Sequence, residues 1–249
     1  MPAEAPSAVQ RAEAAAALFA EIAVTGSVPL GALTDDEECV LGGDGWALGD
    51  PQTWREFAVR PHDHRTRVSR TVRRSLVESG QVWPSATSDE VELTPALGII
   101  AAARTRADFF VVARTEPEQP RPVAIPLGYA VADDREGYRG LVVELRTPGW
   151  HDYRMLSGPR AAAGFVDWAM RATGSDEWGS RAEVVALEVL RFDEQAPTAA
   201  GLTVPAAGQP KELTFDGLRQ SVPADRESLI ESFTSIIDQA VSHGRGVRR

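Results

Sequence analysis

The pattern nearest to a metal site is His62-Asp63-His64. Two imidazoles one residue apart share a face of a strand and suit zinc. Here the triplet follows Pro61 and abuts the start of a predicted helix, where Asp63 reads as an N-cap and both histidines face solvent. The other histidines, His151 and His243, stand at no ligand spacing from it. His151-Asp152 and Ser157 hold the residue types of a hydrolytic set, but no Gly-x-Ser-x-Gly elbow presents the serine. Gly42-Gly43-Asp44-Gly45 has the glycines of a phosphate loop without its Lys-Ser/Thr. Cys39 is the sole cysteine, so no intrachain disulfide or multi-cysteine zinc site exists within this sequence. Its neighbours Asp35, Asp36, Glu37 and Glu38 raise a thiol pKa, which opposes nucleophilic use. No catalytic residue, metal ligand or cofactor is therefore assigned, and a non-enzymatic protein is expected.

The elements around these residues are clearest between His64 and Ala113. Val68, Val72 and Leu76 recur at i, i+4 and i+8, which predicts a helix over His64 to Ser79. Gly80 stands where a left-handed C-cap belongs. Val82-Trp83 and Val91-Glu92-Leu93 flank a turn-rich segment and predict a hairpin. Thr94 and Pro95 then read as N-cap and N1 of a helix through Leu97, Ile100 and Ala101 to Arg106. Phe109 to Val112 reads as a core strand. The whole segment, 64–107, has a winged-helix-like order of helix, hairpin and helix.

Arg67, Arg70, Arg73 and Arg74 fall on the outer face of that first helix. They are the candidate nucleic-acid contacts. The alternative is an ordinary solvated helix face, and a formal net charge of −10 favours it.

Downstream, Ile125 to Ala132, Leu141 to Arg146 and Tyr153 to Leu156 predict consecutive antiparallel strands. The loop Asp133-Asp134-Arg135-Glu136-Gly137 joins the first two. A helix near Pro159 carries Phe165, Trp168 and Ala169 and ends at Gly174. Val184 to Phe192 is a strand with Val185, Leu187 and Val189 on one face. Residues 196–210 read as a low-complexity loop. Lys211 to Phe215 reads as a strand, and a final helix carries Leu229, Ile230, Phe233, Ile236, Ile237 and Ala240. Both halves run strands first and helix second, which suggests two quasi-repeated halves.

The fold expectation is a single α+β domain over 1–249, an antiparallel β-meander with flanking helices and flexible tails at 1–8 and 243–249. The stretch Pro29 to Asp50 reads mainly as loop. Trp150, Tyr153 and Tyr138 gather near the hairpins and are residue types that anchor interfaces. With Asp133 and Asp134 of the acidic loop they form the candidate partner-binding set. The chain contains no Asn, and Lys211 is its only Lys, which points to a high-GC genome. No apolar run reaches the roughly 18 residues that span a bilayer, and no basic leader opens the sequence. A cytoplasmic location is expected, with no membrane insertion.

Ser75-Leu76-Val77-Glu78-Ser79-Gly80, followed by Leu93-Thr94-Pro95-Ala96-Leu97, an Ala/Arg-rich helix and a β-meander, resembles the EspG-type chaperones of actinobacterial type VII (ESX) secretion. The resemblance runs over about Arg65 to Ala172, and the region through Asp50 departs from it. It implies an α+β fold with two quasi-symmetric halves and recognition of a helical PE/PPE-type secretion substrate without catalysis. It assigns no binding residue.

Overall fold

The computed structural model describes residues 6–42, 51–84, 91–107, 109–116, 125–133, 137–147, 149–174, 182–192, 197–205, 211–215, 218–222 and 225–247. The chain is an α+β protein built on one nine-stranded antiparallel sheet. The strands in chain order are β1 (Ser27–Thr34), β2 (Val82–Pro84), β3 (Val91–Leu93), β4 (Phe109–Glu116), β5 (Ile125–Asp133), β6 (Gly137–Thr147), β7 (Trp150–Leu156), β8 (Val184–Phe192), β9 (Pro197–Pro205), β10 (Lys211–Phe215) and β11 (Leu218–Val222). The large sheet has the order β1-β7-β6-β5-β4-β8-β9-β10-β11, and β2 and β3 form a separate hairpin. The helices are α1 (Ala8–Thr25), α2 (Asp35–Gly42), α3 (Pro51–Ala58), α4 (His62–Glu78), α5 (Pro95–Arg106), α6 (Gly158–Gly174) and α7 (Arg226–Val247).

Two consecutive meanders make up most of the sheet: β4 to β7 followed by α6, and β8 to β11 followed by α7. Their first strands, β4 and β8, pair antiparallel from Phe109↔Arg191 to Glu116↔Val184. An antiparallel pair has a local two-fold axis, so the halves meet about a quasi-two-fold. The helices repeat the same spacing. Ala161, Phe165, Trp168, Ala169 and Ala172 are the buried stripe of α6; Leu229, Phe233, Ile236, Ile237 and Ala240 are that of α7. Both stripes enter one core with Val111, Leu141, Val185, Leu187, Val189, Leu202 and Val204 beneath them. Arg226 clamps Asp167 through two hydrogen bonds of 2.6 and 2.8 Å, tying the start of α7 to α6.

A second core lies on the opposite face, over the first half only. Ile22 of α1, Leu97 and Ile100 of α5, Leu76 of α4 and Val82 of β2 pack on Val28, Leu33, Val142, Tyr153 and Met155. Gly140 lets α1 come close: a Cβ there would stand 2.7 Å from Ile22 Cδ1 and 2.6 Å from the Leu156 carbonyl oxygen.

Local chemistry explains the ends of α4 and α5. Gln81 N–H bonds to Leu76 O at 2.9 Å and Gly80 N–H to Val77 O at 3.1 Å, a Schellman closure. Gly80 supplies the required φ of +72°. Thr94 is the N-cap residue of α5, with Pro95 in the first turn.

Several sequence expectations need correction. The stretch 29–50 is not mainly loop: β1 pairs along the whole of β7, and α2 follows it. β1 tolerates Pro29 and Gly31 because it is the sheet's edge, with a register shift between them. The low-complexity stretch 196–210 holds β9, which pairs with β8 from Val184↔Pro205 to Phe192↔Pro197. β11 is a further strand that the sequence does not announce. α4 begins at His62 with Pro61 at its N-cap and no side-chain cap bond, so Asp63 lies in the first turn and favours the helix dipole instead. The expected tail 243–249 is helical through Val247, and α1 begins at Ala8 within the expected tail 1–8. Residues 1–5, 43–50 and 134–136 lie outside the described residues.

Candidate functional site

The densest polar chemistry among the described residues is buried between α2, α5 and the β6–β7 pair. The alternation of β7 turns His151, Tyr153 and Met155 inward, and β6 places Glu144 and Arg146 opposite Tyr153 and His151. Thr34 and Glu37 form a reciprocal cap: Glu37 Oε2 accepts from Thr34 N–H at 2.8 Å, and Thr34 Oγ1 accepts from Glu37 N–H at 3.3 Å. This cap starts α2 directly after β1 and aims its acidic first turn at the sheet. α5 brings Arg104 from the other side.

His151 is the hub. Its Nδ1 lies 2.8 Å from Glu144 Oε1 and its Nε2 lies 2.7 Å from Asp35 Oδ1. An ionised carboxylate only accepts, so a carboxylate at each ring nitrogen favours the doubly protonated imidazolium. Burial alone would lower the pKa of His151. The hydrogen bond to Glu144, the charges of Glu38 and Glu144 and the hydrogen bond to Asp35 outweigh it and hold the pKa above its ordinary value. Burial likewise pushes Glu144 up. The His151 hydrogen bond and the charges of Arg104, Arg146 and His151 prevail, lowering it to about 2.

Arg146 reaches Glu144 through Nε at 3.0 Å and Nη2 at 2.9 Å. Arg104 Nη1 donates to Tyr153 Oη at 2.6 Å and pairs with Glu38 at 2.6 Å. The Tyr153 hydroxyl in turn donates to Glu38. Three cations, Arg104, Arg146 and protonated His151, thus oppose three carboxylates, Asp35, Glu38 and Glu144. A balanced set whose members hydrogen-bond one another is the arrangement in which buried charges are tolerated.

Glu38, Glu144 and His151 form the one trio among the described residues whose ligand atoms converge, all within 4.8 Å. The donor types suit a cation, but the site does not. Arg104 and Arg146 already neutralise both carboxylates, and a divalent ion would have to displace these guanidinium groups and the proton of His151 to gain its ligands. Glu38, Arg104, Glu144, His151 and Tyr153 are 4, 1, 0, 1 and 0% exposed, so the cluster meets solvent only through Asp35 and Arg146 at its margin. What it can do is lock α2 and α5 to the sheet. Cys39, next to Glu38, is buried, and burial together with Glu38, Asp36 and Asp35 pushes its thiol up to about 12, so it stays a thiol.

The candidate partner-binding residues separate. Trp150 is 49% exposed, on the α6–α7 side of β7, near the half-exposed Leu145 at 39%. Tyr153 is not a surface anchor: it is fully buried, and its hydroxyl belongs to the ionic cluster. Tyr138 lies at the start of β6 and Asp133 ends β5, close to their hairpin; Asp134 lies outside the described residues. Arg67, Arg70, Arg73 and Arg74 are all exposed along α4. His62 and His64 are exposed on α4, whereas His151 is buried in the sheet.

Sequence reasoning missed the cluster. Thr34-Asp35-Asp36-Glu37 is a legible capping box ahead of Cys39-Val40-Leu41, and Glu144 inside Val142-Val143-Glu144-Leu145 is a charge in an apolar strand. Nothing distinguishes Arg104 from the surface arginines before packing is known.

A different feature stands on the sheet itself. β8 carries apolar residues on both faces, with Glu188 a charge among them. Val185, Leu187 and Val189 are buried under α6 and α7, while Val184, Ala186 and Leu190 point to the other side and are only half-buried. On β4, Phe110 sits at the rim of the second core and Val112 continues that side beyond it. Arg114 pairs with Glu188 across the same side at 3.0 Å. In the first half this side of the sheet carries α1 and α5. Over β8 and β9, among the described residues, the packed helices are α6 and α7, both on the opposite face.

Compared with known proteins, the sequence matches no family model and no curated protein. Among the described residues, no helix is long and apolar enough to cross a membrane.

Proposed function

We propose that this protein is a non-enzymatic cytoplasmic chaperone or adaptor that captures a helical protein partner, in the manner of the EspG-type proteins it resembles. The observation that carries the reading is the half-covered sheet. Strands that are apolar on both faces ordinarily have both faces covered. On this side β8 carries Val184, Ala186 and Leu190 around Glu188, and β4 carries Phe110 and Val112 ahead of Arg114. Val112, Ala186 and Leu190 are only half-buried, and the described helices that pack most on β8 and β9 lie on the opposite face, whereas α1 and α5 bury Val142 and Met155 on this side of the first half. A helix is therefore the shape of partner that completes the layer. Its apolar stripe would lie on Val112, Ala186 and Leu190, with polar groups placed to meet the Arg114–Glu188 pair, which stands opposite Ala186 and Val112 within that patch. The largely buried, charge-balanced His151 cluster supports a structural role for these residues.

The test is direct. A panel of PE/PPE-type heterodimers is mixed with the purified protein, and complexes are read by size-exclusion chromatography with light scattering. Formation of a one-to-one complex, lost in Val112→Lys and Leu190→Glu but kept in Trp150→Ala, supports capture on this face. No complex with any heterodimer, or a complex indifferent to both substitutions, overturns it.

A further inference from the structure

We infer that α4 is a second binding surface, one for the phosphate backbone of duplex nucleic acid, read without regard to sequence. Arg67, Arg70 and Arg74 recur at i, i+3 and i+7 and so line one ridge of the helix, with Arg73 beside it. All four are exposed. The helix is attached by its opposite side, through buried Leu76 and half-buried Val68 and Val72. Arg74 lies 3.8 Å from Glu78, but both side chains are more than 70% exposed, and a surface pair of that kind yields readily to a phosphate.

The chemistry of the rest of that surface selects the ligand. Its other exposed positions include Thr66, Thr71 and Ser75. Guanidinium and hydroxyl groups are the side chains that contact phosphate and sugar. Protein interfaces need a desolvated apolar or aromatic centre, and no exposed position of α4 supplies one. No Phe, Tyr or Trp stands among them, so the broad stacking platform that single strands use is lacking on the ridge. Asn and Gln, which read adenine edges, do not occur on α4. Asp63 and Glu78 bracket the ridge at either end, and Arg67 to Arg74 span about two helical turns. The rest of the molecule is acidic, with a formal net charge of −10 for the chain, so the ridge is a local attraction within a repulsive field.

The experiment uses the full chain and a fluorescently labelled short DNA duplex in two unrelated sequences, followed by anisotropy from about 50 to about 200 mM salt. Both duplexes should bind equally. The logarithm of affinity should fall against the logarithm of salt with a slope of about −3 to −4, as about four phosphate contacts dictate. R67Q/R70Q/R74Q should weaken binding at least tenfold at the lowest salt, while R171Q, at an exposed arginine of α6, should leave it intact. Equal loss in both variants, a slope near zero, or equally tight and Arg-dependent binding of polyglutamate would overturn the proposal. The last outcome would make the ridge a site for acidic proteins. Capture at the sheet face is read separately, through Val112→Lys and Leu190→Glu on β4 and β8, so its failure is distinguishable from failure of this proposal.

Discussion

Phe165 of α6 and Phe233 of α7 meet ring to ring, with centroids 6.1 Å apart and planes tilted by 60°. They hold the same place in the two repeated stripes, so the quasi-two-fold of the β4–β8 pair continues upward into the helix layer. A tilted pair at this separation gains from edge-to-face attraction as well as burial. Truncating either ring should therefore damage both halves at once. Phe165→Ala and Phe233→Ala should each lower stability by about 3–5 kcal/mol in urea titrations. The double variant should cost less than their sum by about 0.5–1.5 kcal/mol, since the second loss finds the pair already broken. Strict additivity would mean that the rings do not support each other.

Stability should respond to pH through His151. Its folded pKa is raised above the unfolded value, near 6.5. Its contribution is thus present in full below about pH 6.5 and is lost as pH rises through the folded-state pKa. Glu144 has the opposite sign. Its pKa is lowered from 4.5 to about 2, so its contribution is present above about pH 4.5 and lost as pH falls toward 2. Urea midpoints should peak between these limits and decline on the alkaline side. His151→Gln should be less stable at the peak and flatter above neutrality. An alkaline decline of undiminished size in His151→Gln would assign it elsewhere.

The partners of Tyr153 should rank by charge. Tyr153→Phe deletes one hydroxyl between Arg104 and Glu38, whose direct 2.6 Å pairing remains, and should cost about 1 kcal/mol. Arg104→Met removes the direct ion-pair partner of buried Glu38, leaving it the Tyr153 hydroxyl and the His151 ring, and should cost about 3–5 kcal/mol. Glu38→Gln with Arg104→Met together should recover part of that loss. Thermal melts of the wild-type protein and the three variants at one pH decide the order. A Tyr153→Phe loss as large as that of Arg104→Met would mean that the hydroxyl, and not the ion pair, holds α2 in place.

Gly140 should resist even alanine. The added Cβ would meet the Leu156 carbonyl oxygen at 2.6 Å, an atom that cannot move without parting β6 from β7. Gly98 lies in α5, where an added Cβ would meet nothing within 4 Å, so Gly98→Ala should be neutral or mildly stabilising. Gly140→Ala should lower stability by about 1–3 kcal/mol in urea titrations and loosen α1, read as faster amide exchange around Ile22. Equal effects at the two glycines would refute the close approach of α1.

The parts of the fold that are legible from sequence are those whose local signals agree with their packing. Val185, Leu187 and Val189 alternate, the α6 and α7 stripes keep helical spacing, and Gly80 and Thr94-Pro95 mark helix ends. β9 is hidden because Ala199, Ala200 and Gly201 have poor strand propensity and are held extended by pairing with β8. β1 is hidden by Pro29 and Gly31, which only an edge strand accepts. The cluster is hidden for another reason. Its members come from β1's continuation into α2, from α5 and from the β6–β7 hairpin, and only the sheet order brings His151 and Asp35 together. Tyr153 shows the same limit, since an aromatic near a hairpin reads identically whether it faces water or Arg104.

The irregular margin at β1 has a consequence for how copies of this chain can join. A regular outer strand offers its backbone groups to any neighbour, and Pro29, with the register break between it and Gly31, spoils that offer. Among the described strands, the sheet can then lengthen only past β11, at its opposite border. A body with a single adhesive border pairs once and stops. Ribbons and fibrils, which need two, are closed to these strands along their hydrogen-bonding direction.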